Sequence, residues 1–165
     1  MNYFDIIGIE PKYEIDKVEV ENKYIELQKK YHPDNYVPCE EEDNDDAILY
    51  NALKINTAYN ILMDDLKRAI YLLKTHNFDI ENDANKIMID NNILKDIFME
   101  REYIEYLDDD QLLKTALDET IEKIKNIILQ LSQAFSNNEY LKALQLTVQF
   151  KYLDVLKKLI IKKLN

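Results

Sequence analysis

The chain has 165 residues, the length of one domain or two small ones, and one glycine where average usage of about 7% predicts roughly 12. Dinucleotide folds and phosphate-cradling loops need glycines for tight turns and close phosphate approach, and hairpin-rich β folds lean on Asn-Gly turns, so a helical protein remains. The apolar fraction of 47% supports a folded core, while a net charge of -11 disfavours nucleic-acid backbones and anionic membrane surfaces.

Met1-Asn2-Tyr3-Phe4-Asp5 lacks the basic and apolar regions of a signal peptide, and a cytoplasmic protein is expected. Asn2 is placed to cap a short first helix carrying Tyr3, Phe4, Ile6 and Ile7, which stops near Gly8. A second helix is predicted over 16–31, opened by the capping-box pattern Asp16-Lys17-Val18-Glu19 and striped by Val20, Tyr24, Leu27 and Tyr31. Pro33 ends it. Residues 38–46 are acidic without apolar period and read as a solvated loop. A third helix then carries Ile48, Ala52, Ile55, Tyr59 and Leu62, so two antiparallel helices flank His32-Pro33-Asp34.

A short helix over 66–74 follows, and pattern is lost through 75–85. Three long helices are expected beyond it. Over 84–107, Ile93, Ile97, Ile104 and Leu107 share one face and Ile87, Leu94 and Phe98 a second. Over 109–134, Leu113, Leu117, Thr120, Ile124, Ile127, Leu131 and Ala134 form a heptad-like seam. Ser136-Asn137-Asn138-Glu139 reads as the capping box of the last helix. That helix carries Leu144, Val148, Val155 and Leu159 on one stripe and Leu146, Phe150, Leu153, Ile160 and Leu164 on another. A helix with two stripes touches two neighbours, which makes a three-helix bundle.

The chemistry of enzymes and metals finds little footing. Lys29 precedes His32 by three and Leu73 precedes His76 by three, so neither histidine belongs to the Glu-x-x-His pair of di-iron bundles. The acidic run from Glu40 to Asp46 lacks the glycine and terminal glutamate of a calcium loop. Cys39 is the only cysteine, which excludes an internal disulfide and a thiolate zinc cluster within one chain and reads as an incidental loop residue. His76 sits where a cation suits a helix C-terminus. No catalytic group, metal or cofactor is expected.

Tyr31-His32-Pro33-Asp34, the aromatic first helix Tyr3-Phe4-Asp5-Ile6-Ile7-Gly8 and Ile55-Asn56-Thr57-Ala58-Tyr59 together resemble a J-domain. The likeness continues through Arg68-Ala69-Ile70-Tyr71-Leu72-Leu73, then Leu94 with Phe98-Met99-Glu100-Arg101-Glu102, then Tyr152-Leu153-Asp154. That order is similar to HscB-type co-chaperones of iron-sulfur cluster assembly over nearly the whole chain. It implies an all-α protein with a J-domain over 1–75, an antiparallel helical hairpin with short flanking helices. A linker over 76–83 and a three-helix bundle over 84–165 would follow.

The resemblance implies that His32, Pro33 and Asp34 dock on an HscA- or DnaK-like chaperone ATPase and stimulate it. Lys23, Lys29 and Lys30 give the preceding helix a cationic side, diluted by Glu19, Glu21 and Glu26, which favours a dedicated partner over promiscuous recruitment. It also implies that Leu94, Phe98, Glu102 and Tyr152 bind an IscU-like scaffold. Lys95 and Met99 depart from the apolar residue and glutamate common in the family at those positions. The alternatives are a J-domain adaptor for another client, and an acidic helical metal-binding or enzyme domain using the carboxylate loop and Cys39. Metal analysis separates the latter from an adaptor, which has no bound metal.

Overall fold

A computed structural model describes residues 2–31, 43–80 and 91–165, excepting the side chains of 43–49, 91, 93 and 94. All regular structure in the described residues is helical: α1 (Tyr3–Ile7), α2 (Lys17–Tyr31), α3 (Asp43–Met63), α4 (Asp65–Thr75), α5 (Asn91–Tyr106), α6 (Asp110–Ser136) and α7 (Tyr140–Leu164). They divide into two compact units, Met1–Arg68 and Ala69–Asn165, with the division inside α4.

In the first unit Asn2 and Asp5 close a reciprocal capping box, Oδ1 of Asn2 accepting from the Asp5 amide at 2.9 Å and Oδ2 of Asp5 from the Asn2 amide at 3.0 Å. Gly8 stops α1 at φ 82°, a left-handed angle that glycine adopts at no steric cost. Asp16 Oδ1 caps α2 by accepting from the amides of Val18 and Glu19, while the Glu19 carboxylate pairs with Lys23. Phe4 and Ile7 of α1, Val20 of α2 and Ile55, Ala58 and Leu62 of α3 are buried, and α1 and α2 both pack on α3. The acidic stretch read as loop to residue 46 is shorter than expected, because α3 begins at Asp43. A helix N-terminus favours negative charge, so Asp43-Asn44-Asp45-Asp46 is a sequence suited to a first turn.

In the second unit Asp109 caps α6 through the Leu112 amide at 2.9 Å. The seam is buried at Leu113, Thr120, Ile124, Ile127, Leu131 and Ala134, facing buried Leu146, Phe150, Leu153 and Ile160 among others on α7. The hydroxyls of Thr120 and Thr147 are satisfied by carbonyls one turn back, at 2.7 Å each, so both threonines sit in the core without a stranded donor.

Two details of the turn between α6 and α7 correct the sequence reading. Ser136 ends α6 rather than capping α7, and Glu139, the N-cap of α7, makes no side-chain cap bond. The turn is instead governed by the preceding helix: Asn138 is left-handed at φ 58°, its amide bonds the Phe135 carbonyl and the Glu139 amide bonds that of Ala134. Asn77, at φ 65°, ends α4 with the same pair of bonds, to Lys74 and from Phe78 to Leu73. Val155, placed on a core stripe by period, is 45% exposed, whereas Leu156 is buried. Beyond the middle of α7, neighbours cover the side carrying Leu153, Leu156 and Ile160, and the face through Val155 turns outward.

Candidate functional sites

The first candidate site lies at the end of the α2–α3 hairpin. His32, Pro33 and Asp34 lie outside the described residues, as does Cys39 with most of the acidic run. The described residues show what holds α2 against α3 up to Tyr31. Tyr24 of α2 and Tyr59 of α3 stack with ring centroids 3.9 Å apart and planes 18° from parallel. Asn56 Oδ1 accepts from the Tyr24 hydroxyl at 2.9 Å and from Gln28 Nε2 at 2.6 Å. Two half-buried donors from α2 thus converge on one acceptor of α3, a polar clamp that fixes the register of the two helices. The apolar period had marked Tyr24 and Tyr59 as contacts. Nothing local marked Gln28 as their partner.

The three lysines of α2 are placed differently from one another. Lys23 pairs with Glu19 at 2.9 Å and donates to the Gly8 carbonyl, tying α2 to the end of α1. Lys29 is exposed, and Lys30 is exposed with its ammonium 5.2 Å from the Tyr31 ring centroid. Both stand in the last turn, where cations suit the helix dipole.

At the far end of α3, Arg68 is buried to 3% exposure and each of its three guanidinium nitrogens donates a hydrogen bond. Nε donates to the Tyr13 carbonyl at 2.7 Å, Nη1 to the Leu62 carbonyl and Nη2 to Asp65, with the Tyr13 ring centroid 4.9 Å away. Lys17 of α2 meets the other Asp65 oxygen at 3.0 Å. Burial works against the Asp65 charge, but the hydrogen bonds from Lys17 and Arg68 prevail and hold its carboxyl below the ordinary value. Burial pushes the Tyr13 hydroxyl well up. The hub role of Arg68 rests on partners distant in sequence, Tyr13 above all.

The second candidate site is the outer face of α5 with the adjoining edge of α7. Phe98 is 54% exposed, and its ring meets Tyr152 of α7 edge to face, centroids 5.9 Å apart at 61°. Glu102, one turn on, is exposed; the side chain of Leu94 lies outside the described residues. Met99, Tyr103 and Tyr106, each more than half exposed, continue this face and line an open recess of about 420 Å³ with Glu102 and Leu107. Tyr103 and Tyr106 escaped the sequence reading although their spacing from Met99 puts all three on one side of a helix.

That face is held from behind. Ile104 is buried, Lys123 of α6 bonds Glu100 at 2.6 Å, and Lys163 of α7 donates to the Ile104 carbonyl at 3.1 Å and the Glu105 carbonyl at 2.7 Å. Lys163 therefore caps the C-terminus of α5 from a neighbouring helix. On α7, Asp154 takes Lys157 at 3.3 Å and Lys158 at 2.6 Å; burial opposes its charge, but these lysines hold its carboxyl below the ordinary value. Among the described residues no His, Cys, Asp and Glu side chains gather in threes as metal ligands, and no helix is long and apolar enough to cross a membrane.

Residues 2–71 match the DnaJ domain family, and residues 89–160 match the family described as the HSCB C-terminal oligomerisation domain. An Arabidopsis thaliana iron-sulfur cluster co-chaperone protein HscB homolog is 30% identical over 164 residues, 99% of this chain and 64% of that protein. A co-chaperone protein HscB homolog of Aliivibrio fischeri is 29% identical over 94% of this chain and 92% of its own length. Among solved structures, chaperone HscB from Vibrio cholerae superposes with a TM-score of 0.85 at 26% identity, covering 98% of this chain and 96% of that one.

Proposed function

Because this chain belongs to the HscB-type J-domain co-chaperones of iron-sulfur cluster assembly, we propose that it couples two proteins, neither of whose activities it contains. Through His32, Pro33 and Asp34, with Lys23, Lys29 and Lys30 on α2, it stimulates the ATPase of an HscA- or DnaK-like chaperone. Through Leu94, Phe98, Glu102 and Tyr152 it delivers an IscU-like scaffold. The residues carrying these roles sit in a J-domain over 1–75 and a three-helix bundle over 84–165, joined by a linker over 76–83. The family is one of co-chaperones, not of enzymes.

Phe98 carries this reading. Phe98, more than half exposed and backed by Tyr152 on the next helix, lies in a contiguous exposed apolar patch of the kind that marks a protein-binding surface. Its neighbours Met99, Tyr103 and Tyr106 enlarge an apolar surface on a chain that is otherwise strongly acidic. On the ATPase side, the Tyr24–Tyr59 stack and the Asn56 clamp supply the rigid base that a docking turn requires. Pro33 restricts the turn, and a carboxylate offered by Asp34 can replace a charge-assisted hydrogen bond on the partner, worth about 1.5 to 3 kcal/mol.

The test is ATP turnover of an HscA-type chaperone measured with this protein, with an IscU-type scaffold and with both. Stimulation by the protein alone, raised further by the scaffold and reduced when Phe98 is replaced by Ala, is the expected pattern. Equal turnover with and without the protein overturns the proposal.

A further inference from the structure

The charge of this molecule is unevenly distributed. Within a chain of net charge -11, α7 carries Lys142, Lys151, Lys157, Lys158, Lys162 and Lys163 against a single carboxylate, Asp154. Local structure accounts for part of this. Lys163 caps α5, Lys157 and Lys158 pair with Asp154, and cations in the last turn suit the helix dipole. Lys158, paired with Asp154, and Lys162, in the last turn, each have such a local role, whereas Lys151 has neither; the three nevertheless share one outward line. Lys151, Lys158 and Lys162 fall at intervals of seven and four, which places them with Val155 on one exposed stripe of the helix. Lys151 stands mid-helix, far from the terminal dipole. Lys158 and Lys162 are like charges one turn apart, a spacing that disfavours the helix by itself.

The stripe adjoins the second candidate site. Tyr152 follows Lys151 directly and lies one turn before Val155, so a protein seated on Phe98 and Tyr152 reaches the stripe within a Debye length, about 8 Å at physiological salt. Val155 gives the stripe an apolar centre, 45% exposed.

We propose that Lys151, Lys158 and Lys162 form a cationic docking stripe that meets a carboxylate-bearing patch on the scaffold protein seated at Phe98 and Tyr152. This rests on the scaffold reading above. The division of labour is physical: apolar anchors set how long the complex lasts, and the lysines set how fast and in which orientation it forms. An anionic membrane is the less favoured occupant, since the whole chain repels such a surface and the stripe covers one side of one helix.

The experiment is stopped-flow association of the full chain with a cluster-free IscU-type scaffold, between about 50 and about 500 mM salt. The parent's association is expected to slow as salt rises. Lys151→Glu with Lys162→Glu is expected to cut the low-salt association rate about tenfold and flatten its salt dependence, with Lys151→Gln plus Lys162→Gln falling between. Phe98→Ala is expected to act mainly on dissociation. An unchanged association rate and salt slope in both double variants, with melting as in the parent, overturns the stripe while leaving the scaffold reading intact. So does an effect confined to cluster-loaded scaffold, which would make the thiolate-ligated cluster the anion, or one seen only with phosphatidylserine vesicles. Absence of any binding by the parent overturns the scaffold reading itself, and the stripe with it.

Discussion

Phe98 and Tyr152, 54 residues apart in sequence, meet edge to face across the α5–α7 boundary with centroids 5.9 Å apart, and Phe98 keeps its outer side in water. This pairing separates a contact role from a core role. Phe98→Ala is expected to weaken scaffold binding by more than about 1 kcal/mol, as truncation of an apolar anchor does. Its cost in folding should stay well under the roughly 3 to 5 kcal/mol of a buried Phe→Ala change. Calorimetric binding and urea unfolding on the same variant decide it. A large stability loss with unchanged affinity of the folded fraction would refute the contact role.

At the other end of the chain, His32→Gln and Asp34→Asn are each expected to abolish stimulation of the chaperone ATPase while shifting stability by less than about 0.5 kcal/mol, as substitutions in a turn usually do. Steady-state ATPase assays paired with thermal melting check this. Full stimulation by either variant would remove the turn from the mechanism.

Lys29 and Lys30, both exposed in the last turn of α2, are expected to steer the chaperone's approach. Their joint reversal to Glu should slow association and flatten its dependence on salt. Surface plasmon resonance across a salt series gives the answer, and rates indifferent to both changes would exclude steering.

Arg68→Met is expected to destabilise the first unit by about 3 to 5 kcal/mol, because it strands the Tyr13 and Leu62 carbonyls and removes one of two cations from Asp65. Arg68→Lys should recover little, since a single ammonium cannot reproduce three bonds in a planar fork. Urea unfolding monitored by circular dichroism is the check; a midpoint within error of the parent for Arg68→Met would refute the hub.

Asp65 links the same hub to pH. Its folded carboxyl lies below the ordinary value of 3.8, so its charge favours folding above that value and the benefit is lost as pH falls through the lower, folded one. Asp65→Asn is expected to lower stability at neutral pH and to show a shallower loss below about pH 4. Urea midpoints measured from neutral to strongly acid solution test the sign: parallel curves for parent and variant would contradict it.

What could be read from the sequence was what recurs along it. The seam from Leu113 to Ala134 repeats over about six turns, and burial follows it at every position but Leu117, which is half-buried. Asn2 was recognisable as a cap because the amide it serves, that of Asp5, lies within one turn. Ser136 misled because its spacing from Glu139 satisfies the same pattern, while the bonds that shape the turn belong to the carbonyls of the helix before it. Val155 misled because a period says which residues share a face, not which faces find a neighbour. Arg68 with Tyr13, and Gln28 with Asn56, join residues 55 and 28 positions apart, and no local pattern encodes such a meeting. In the candidate sites, Phe98 and Tyr152 were legible through family resemblance, whereas Tyr103 and Tyr106 needed the exposure of α5.

The helix stops at Asn77 and Asn138 bear on the unfolded chain as much as on the folded one. Glycine would sit in those left-handed positions with less strain, but it would also widen the range of conformations open to the backbone before folding. Asparagine accepts the angle and keeps that range narrower. With a single glycine in 165 residues, the chain surrenders comparatively little backbone freedom when it folds, and two long helical turns are closed by side-chain-bearing residues that already lean toward the shape they take.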